Sequence, residues 1–382
     1  MIEQNDPNLL PPSNNLQRLL GFLDQDPENL YLLSDAAVAA VDARDPKLAL
    51  YLLDKYVKLS TQTPAMRNLR GLALLQLAEH HLAAEVFGDL LNDGYADVHV
   101  RFNLAWTRAV LGDHRGALEL LDDATIASSL RGPSLKIQML HHLGLLQDAL
   151  VVGQGLVEAY PDNQALAGSL STVAMDANEI ALAAHYANLG GDSEDALATR
   201  GMLSLNDFDA ETALGLFSKA LALDPDQPRA WVGQGLGLLV QGDVVSAAPC
   251  LVKGAELFGR HLGSWIAAGW AHAMAKDPQA ARTCFERALA IDDNFGEAHG
   301  GLAVIDIIDG RFDSAKRRAS IALRLDKHCL SGALAKSLIA EHDKNPALAQ
   351  KIRDRALTTA IGPRGETLAQ AIMKLGMTFR SR

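Results

Sequence analysis

The sequence predicts an all-α solenoid built from stacked antiparallel helix pairs, and three observations support this prediction. Small and apolar residues recur every 34 positions through residues 194–329, which is typical of units that bury their apolar faces only by stacking. The chain is 48% hydrophobic but only 5% aromatic. Its apolar residues are mainly Ala and Leu, which favour helices. Alternating runs rich in Val, Ile and Thr, which would indicate strands, are scarce.

The most regular part of the chain consists of four units, 194–227, 228–261, 262–295 and 296–329. Four columns carry the period: Gly201, Gly235, Gly269 and Ala303; Ala213, Ala247, Ala281 and Ala315; Phe217, Leu251, Phe285 and Ala319; and Ala220, Gly254, Ala288 and Ala322. Each unit predicts two helices. In the first unit, the polar pair at 206–207 separates the helices, and Pro225 ends the second because proline cannot continue a helix.

The same columns are weaker before residue 194. We expect an N-terminal lead and capping helix in 1–29 and less regular repeats in 30–193. Between about 130 and 193 the spacing shortens by about two residues per unit, which predicts either a kink or a division into two sub-arrays. After residue 329 the sequence indicates a degenerate repeat and a basic capping helix in 330–382, the helix covering 365–379. Terminal units are expected to be atypical because one of their faces meets solvent.

These columns resemble the tetratricopeptide repeat family. The large, small, Ala, large and small positions of that family are matched by Trp231, Gly235, Ala247, Leu251 and Gly254, and one unit later by Trp265, Gly269, Ala281, Phe285 and Ala288. The resemblance implies a right-handed superhelical solenoid of nine or ten helix pairs. It also implies a non-catalytic protein that binds other proteins.

Charge is distributed unevenly along the chain. The net charge is −11, yet residues 311–382 hold 15 basic and 6 acidic residues, a net +9, which leaves −20 for residues 1–310. The N-terminus has no basic stretch followed by an apolar run, no apolar segment approaches the ~18 residues of a membrane span, and three cysteines make no disulfide framework. We therefore expect a cytoplasmic protein, and the lysine-poor composition is typical of a bacterial one.

Motifs for catalysis or cofactor binding are missing from the sequence. It contains no GxxxxGK[ST], HExxH, GxSxG or CxxC, so we expect no enzyme activity, no cofactor and no metal. Cys250 and Cys284 are one repeat apart, and we interpret them as semi-buried repeat positions. His141 and His142 could act as ligands with His185, but adjacent helical side chains diverge by about 100°. We favour solvated or groove-lining histidines.

The resemblance implies that the first helix of each unit lines a concave groove. Carried over, the groove positions are Asn68, Leu72, Phe102, Trp106, Val232, Leu236, Ile266, Trp270 and Val304. They are mostly apolar, and they lack the Lys and Asn set with which some family members hold the acidic tail of a heat-shock chaperone. The hypothesis is an apolar groove that binds a peptide, with Trp106 and Trp270 as anchors. The alternative is that these side chains only pack against neighbouring helices.

A second candidate surface is the basic C-terminal end. It contains Arg311, Lys316, Arg317, Arg318, Arg353 and Arg355, which could dock an acidic protein segment, a nucleic acid or an anionic membrane. A solvated end that prevents end-to-end stacking is the alternative. Nucleic acid is the least favoured partner because few aromatic residues are interleaved.

The predicted function is a non-catalytic adaptor that binds a partner protein or peptide. Two alternatives remain open at this stage, namely a chaperone or assembly factor of a bacterial secretion or surface-polymer system, and a peptide-sensing regulator. Self-association through the amphipathic segment 365–379 is a further possibility.

Overall fold

The computed structural model describes residues 12–358, 360–361 and 366–367, with side chains from 15 to 358. In this part of the chain, 22 helices are followed by one pair of two-residue strands. The first helices are α1 Pro12–Leu23, α2 Leu30–Asp42, α3 Pro46–Leu59, α4 Pro64–Gln76, α5 His80–Asn92, α6 Val98–Val110, α7 His114–Leu120, α8 Asp123–Ala127, α9 Gly132–His142, α10 Leu146–Ala159 and α11 Gln164–Asp176. They continue with α12 Ile180–Leu189, α13 Glu194–Asn206, α14 Ala210–Leu223, α15 Pro228–Val240, α16 Val244–Phe258, α17 Leu262–Met274, α18 Pro278–Ile291, α19 Gly296–Ile308, α20 Phe312–Leu325, α21 Leu330–His342 and α22 Pro346–Leu357. The predicted helical fold is confirmed.

The helices divide between two compact units, and the boundary falls between Leu166 and Ala167, inside α11. Neither unit has a single central core. In each, small apolar clusters lie one after another between successive helices, such as the cluster around Phe87 in unit 1 and the cluster around Phe217 in unit 2. This arrangement is expected of a solenoid, in which each repeat is stabilised mainly by its neighbours.

A left-handed residue marks the turn inside every one of the ten described helix pairs, from α2–α3 to α21–α22. These residues are Arg44, Ala78, Gly112, Gly144, Asn178, Phe208, Gly242, Lys276, Gly310 and Lys344. Their spacing is 34 in both regular stretches, but it falls to 32 between Gly112 and Gly144 and to 30 between Asn178 and Phe208. The repeat therefore shortens in two steps, and it does so around the region where the sequence predicts irregularity.

In six of these turns an acidic or amide side chain follows the left-handed residue and caps the second helix. Its oxygen accepts a hydrogen bond from a backbone N–H in the first turn, which satisfies a donor that would otherwise lack a partner. The capping residues are Asp45, Asp113, Asp209, Asp243, Asp277 and Asn345. The turn thus fixes both where the first helix ends and where the second begins.

Phenylalanines on second helices fix the distance between successive first helices. Phe285 of α18 is fully buried. A Cβ atom added to Gly269 of α17 would lie 2.5 Å from its ring, and one added to Gly301 of α19 would lie 2.7 Å away. Only glycine fits at either position without displacing the ring. The same contacts recur among Phe217, Gly201 and Gly233.

The column that begins with Trp231 makes a repeated hydrogen bond. In three successive pairs, a ring nitrogen of Trp231, Trp265 or His299 lies within hydrogen-bonding distance of the backbone carbonyl six residues earlier. The acceptors are the carbonyls of Pro225, Gly259 and Asp293, at 2.8, 3.3 and 2.9 Å. The 34-residue period in sequence therefore corresponds to a repeated contact that ties each first helix to the preceding turn.

The end of the described chain differs from the predicted capping helix. Glu366 and Thr367 lie in β2, which pairs antiparallel with β1, Ala360–Ile361. A helix over 365–379 therefore does not begin at residue 365, because the backbone at 366–367 is extended and paired with another strand. The rest of that predicted helix lies outside the described residues.

Candidate functional site

The first helices of unit 2 carry most of the groove residues predicted from the sequence. Leu236, Ile266 and Trp270 are half-buried and pack against the apolar clusters of α15 to α19. Val232 and Val304 are only 9% and 5% exposed. These two valines offer almost no surface to a partner, because neighbouring helices already cover them, and we leave them out of the candidate site.

An open apolar cavity of about 470 Å³ lies beside Trp270. It is lined by Trp270, Glu297, Leu330, Ser331, Ala333, Leu334, Ser337, Ile352, Arg353, Ala356 and Leu357. We call it the α21–α22 pocket, because most of its wall comes from those two helices. Its size is within the range of small-ligand and side-chain pockets. It is mostly apolar, with a few polar groups at its edge.

Packing and hydrogen bonds hold the wall of this pocket in place. The indole of Trp270 makes an edge-on contact with Phe285, with ring centroids 5.6 Å apart. The carboxylate of Glu297, on α19, accepts hydrogen bonds from the backbone N–H groups of Leu330 and Ser331, at 2.7 and 3.2 Å. Because the first N–H groups of a helix have no partner within the helix, Glu297 caps α21 from a different helix.

The pocket residues on α21 and α22 were not among those predicted, apart from Arg353. The repeat columns fade after residue 329, so no groove position could be assigned in this pair. A weaker signal does exist, because Leu330 and Leu334 lie four residues apart on α21, as do Ile352 and Ala356 on α22. Such spacing indicates an apolar helix face. Leu334 is 41% exposed, so part of that face is open to solvent.

In unit 1 the predicted groove residues are half-buried and packed. Leu72 contacts the clusters of α2 to α6. Phe102 and Trp106 contact the cluster that includes Leu135 and Met139. The Arg131 guanidinium lies 5.4 Å from the centre of the Trp106 ring, a cation–π distance. The Oδ1 atom of Asn68 is buried without a hydrogen-bond partner.

The predicted basic end is largely engaged in ion pairs within unit 2. Asp306 of α19 has a side chain only 2% exposed, and three guanidinium groups surround it: Arg282 at 2.6 Å, Arg311 at 2.9 Å and Arg318 at 3.2 Å. The Ser314 hydroxyl also donates to Asp306, at 2.6 Å. Arg311 and Arg318 therefore stabilise the interior of the ninth pair and do not form a free basic patch.

Two more of the predicted basic residues are also paired. Lys316 lies 2.8 Å from Asp343, and Arg353 is paired with Glu341. Arg317 is exposed, and Arg355 lines a separate cavity discussed below. Sequence reasoning could not foresee these pairs, because both partners of a pair such as Lys316 and Asp343 meet only when α20 and α21 pack together.

The cysteine and histidine positions carry no visible reactive chemistry. Burial raises the pKa of the Cys284 and Cys329 thiols to about 11 and about 12, so both stay protonated at neutral pH. The His142 ring stacks on His114, with centroids 4.5 Å apart. Partial burial, together with His114 and His141, lowers the pKa of His142 to about 4. Within the described residues, no three His, Cys, Asp or Glu side chains are grouped as metal ligands.

None of the described helices is both long enough and apolar enough to cross a bilayer.

The chain is similar to several solved structures. Among solved structures, the chain is similar to a crystal structure of MamA, with 21% identity, a TM-score of 0.35, and coverage of 41% of this chain and 92% of that one. It is also similar to the APC/C hetero-tetramer Cut9-Hcn1, with 14% identity, a TM-score of 0.49, and coverage of 90% and 82%. A third structure, YrrB, described as a tetratricopeptide repeat protein with an unusual peptide-binding site, has 19% identity, a TM-score of 0.34, and coverage of 42% and 84%. No curated protein matched the chain.

The family models are the more informative comparison. Residues 204–256 and residues 263–295 each match a model of the tetratricopeptide repeat. The matched ranges cover α14 to α18 almost completely, where the sequence columns are most regular. These matches show tetratricopeptide repeats in residues 204–256 and 263–295, within a described chain of ten helix pairs.

Proposed function

We propose that the protein is a non-catalytic scaffold that binds a segment of a partner protein in the α21–α22 pocket. Tetratricopeptide repeats support protein–protein interaction in general. The observation that carries the more specific proposal is the pocket itself, an apolar cavity of about 470 Å³ with a partly exposed leucine, Leu334, on its wall. Rigid apolar cavities with aromatic walls are typical anchoring points for a partner's side chain.

The chemistry of the pocket favours a partner segment with one or two large apolar side chains. Such side chains would be covered by Trp270, Leu334 and Ile352. The guanidinium of Arg353 also lines the pocket, where it donates to the buried Ser337 hydroxyl at 3.2 Å and pairs with Glu341. A chaperone, an assembly factor and a regulator would all use the pocket in this way, so the identity of the bound partner distinguishes them.

Replacing Leu334 by Glu tests this proposal. We expect Leu334→Glu to weaken partner binding by at least about tenfold, because a carboxylate would have to be buried against apolar side chains while Arg353 of the lining is already paired with Glu341. The fold should be retained, since Leu334 is 41% exposed. The measurement is affinity capture of the full chain followed by mass spectrometry, with circular dichroism to confirm that the helices are intact.

Leu223→Glu is the matched control. Leu223 is an exposed leucine of the same unit, 59% exposed. It lies on α14 and is not part of the pocket lining. If a partner is captured by Leu223→Glu but not by Leu334→Glu, the result supports the α21–α22 pocket as the binding surface. Equal capture by both variants and the unmodified protein would rule it out as the binding surface.

A further inference from the structure

A second cavity system lies on another side of α21, between α20 and α22. One part, of about 220 Å³, is lined by residues of α20, α21, α22 and the turn before α21, which include Leu323, Lys327, Lys336, Leu348, Lys351 and Arg355. The other, of about 580 Å³, continues along α20 and α21 and shares Leu323 and Lys336 with the first. We call the two together the basic groove. Its first part shares Leu330, Ala333, Ile352 and Ala356 with the α21–α22 pocket, whereas Leu334 and Ser337 line that pocket and neither part of the groove.

Two basic residues that the sequence singled out, Lys316 and Arg355, line this groove, and four further cations join them. Arg324, Lys327, Lys336 and Lys351 line it, and all four are exposed. None of them has an ion-pair partner among the residues that the structure describes, whereas Arg311, Arg318 and Arg353 are paired. Four positive charges, from three helices and the turn between α20 and α21, therefore line the two parts of the groove without an ion-pair partner among the described residues.

Acidic groups in the groove are few. Asp343 is the acidic residue of its described lining, and it is already paired with Lys316 at 2.8 Å. Uncompensated charges of one sign in a groove raise the local concentration of ligands of the opposite sign. A ligand of the groove is therefore expected to be anionic.

The floor of the groove is apolar and argues for a peptide. Leu323, Ala333, Leu348 and Ile352 line the groove together with the cations. A nucleic acid would be recognised by cations together with aromatic side chains that stack on bases, and the described lining contains no Phe, Tyr or Trp. Carboxylates alternating with apolar side chains match both the rim and the floor.

We propose that the basic groove is a second binding surface, which takes an acidic, extended segment of a partner protein. In this arrangement, carboxylates of the segment pair with Lys327, Lys336 and Lys351, and its apolar side chains lie on Leu323 and Leu348. The basic groove adjoins the α21–α22 pocket and shares Ile352 with it, so one partner segment could occupy both sites. Binding to two linked sites raises the overall affinity without any new contact.

A synthetic peptide tests the groove without knowledge of the natural partner. The probe is a short fluorescein-labelled peptide of alternating Glu and Leu residues, which imitates an acidic, extended partner segment. Its binding to the full chain is followed by fluorescence anisotropy. We expect Lys327→Glu, Lys336→Glu and Lys351→Glu in combination to weaken binding by about tenfold or more. Binding should also weaken as salt rises from about 50 to about 300 mM, because exposed ion pairs are screened.

The control variant carries the same change in charge elsewhere in unit 2. Lys219→Glu, Arg260→Glu and Arg287→Glu replace three exposed cations that are not in the groove lining, and this variant should bind the peptide as the unmodified chain does. Leu334→Glu should also bind it normally, which separates this proposal from the α21–α22 pocket. Circular dichroism verifies that each variant is folded.

Three results would overturn the proposal. In the first, the control variant loses as much affinity as the groove variant, which would mean that net charge alone drives binding. In the second, a Gln-Leu peptide binds as tightly as the Glu-Leu peptide, which would mean that the carboxylates contribute nothing. In the third, a single-stranded oligo-dT of similar length binds more tightly than the peptide and depends on the same lysines, which would make the groove a nucleic-acid site.

Discussion

Replacing Phe285 by Ala is expected to destabilise unit 2 by about 3–5 kcal/mol, as for other fully buried phenylalanines. Phe285 has no exposed surface, and its ring fills the space between α17 and α19, against Gly269 and Gly301. Truncation would leave a cavity whose glycine walls have no side chains with which to fill it. The measurement is urea unfolding of the full chain followed by circular dichroism.

The control for this variant is Leu223→Ala, a change on a side chain that is 59% exposed. It should alter the free energy of unfolding by no more than about 0.5 kcal/mol. A loss below about 1 kcal/mol for Phe285→Ala would show that the phenylalanine–glycine contacts do not set the spacing of the first helices. Because repeats are coupled mainly to their neighbours, we expect the loss to appear in the transition of unit 2.

Replacing Asp306 by Ala is expected to have a comparable effect, about 3–5 kcal/mol. The carboxylate is buried, and it accepts from or pairs with Arg282, Arg311 and Arg318. Its removal leaves Arg318 without a counter-ion and leaves Arg282 and Arg311 to share Asp309 alone, which is more costly than losing one exposed ion pair. Arg317→Ala, at an exposed position on the same helix as Arg318, should change stability little and serves as the control.

The same carboxylate gives a pH dependence with a defined sign. Burial raises the pKa of Asp306, but hydrogen bonds from Ser314, Arg282 and Arg311 together outweigh burial, so the pKa lies below its usual value of 3.8. A lowered folded-state pKa contributes stability that is present above the unfolded pKa and is lost as the pH falls through the folded one. Unit 2 should therefore lose stability as the pH falls below about 4, and Asp306→Asn should reduce that dependence. An unchanged acid transition would contradict this role of Asp306.

The sequence was sufficient to predict the helices and much of their packing. Columns such as Ala213 and Phe217 locate the second helices because their side chains are buried in every regular pair. The contact of Phe285 with Gly269 lies within one unit, so the 34-residue alignment reveals it. The second glycine contact, with Gly301, joins two successive units, so no single column of the alignment places the two residues together.

Features that depend on packing between helices could not be predicted. Arg282 and Asp306 are 24 residues apart and belong to different repeats, so their pairing follows from the stacking of α18 on α19 and not from any local pattern. For the same reason, Arg311 and Arg318 looked available to a partner in the sequence but are engaged internally. The α21–α22 pocket lies in the pair where the repeat columns fade, which removed the alignment that would have located it.

Site-specific photo-crosslinking tests the central claim most directly, namely that the protein is a scaffold that holds a partner segment in the α21–α22 pocket. A benzophenone amino acid is placed at Leu334 on the pocket wall, and in a parallel sample at Leu223, which is exposed on α14. After irradiation in cells that make the full chain, crosslinked proteins are identified by mass spectrometry. We predict a discrete crosslinked protein from position 334 and none of it from position 223. If position 334 gives no crosslinked protein beyond those found at position 223, the pocket is not the binding site.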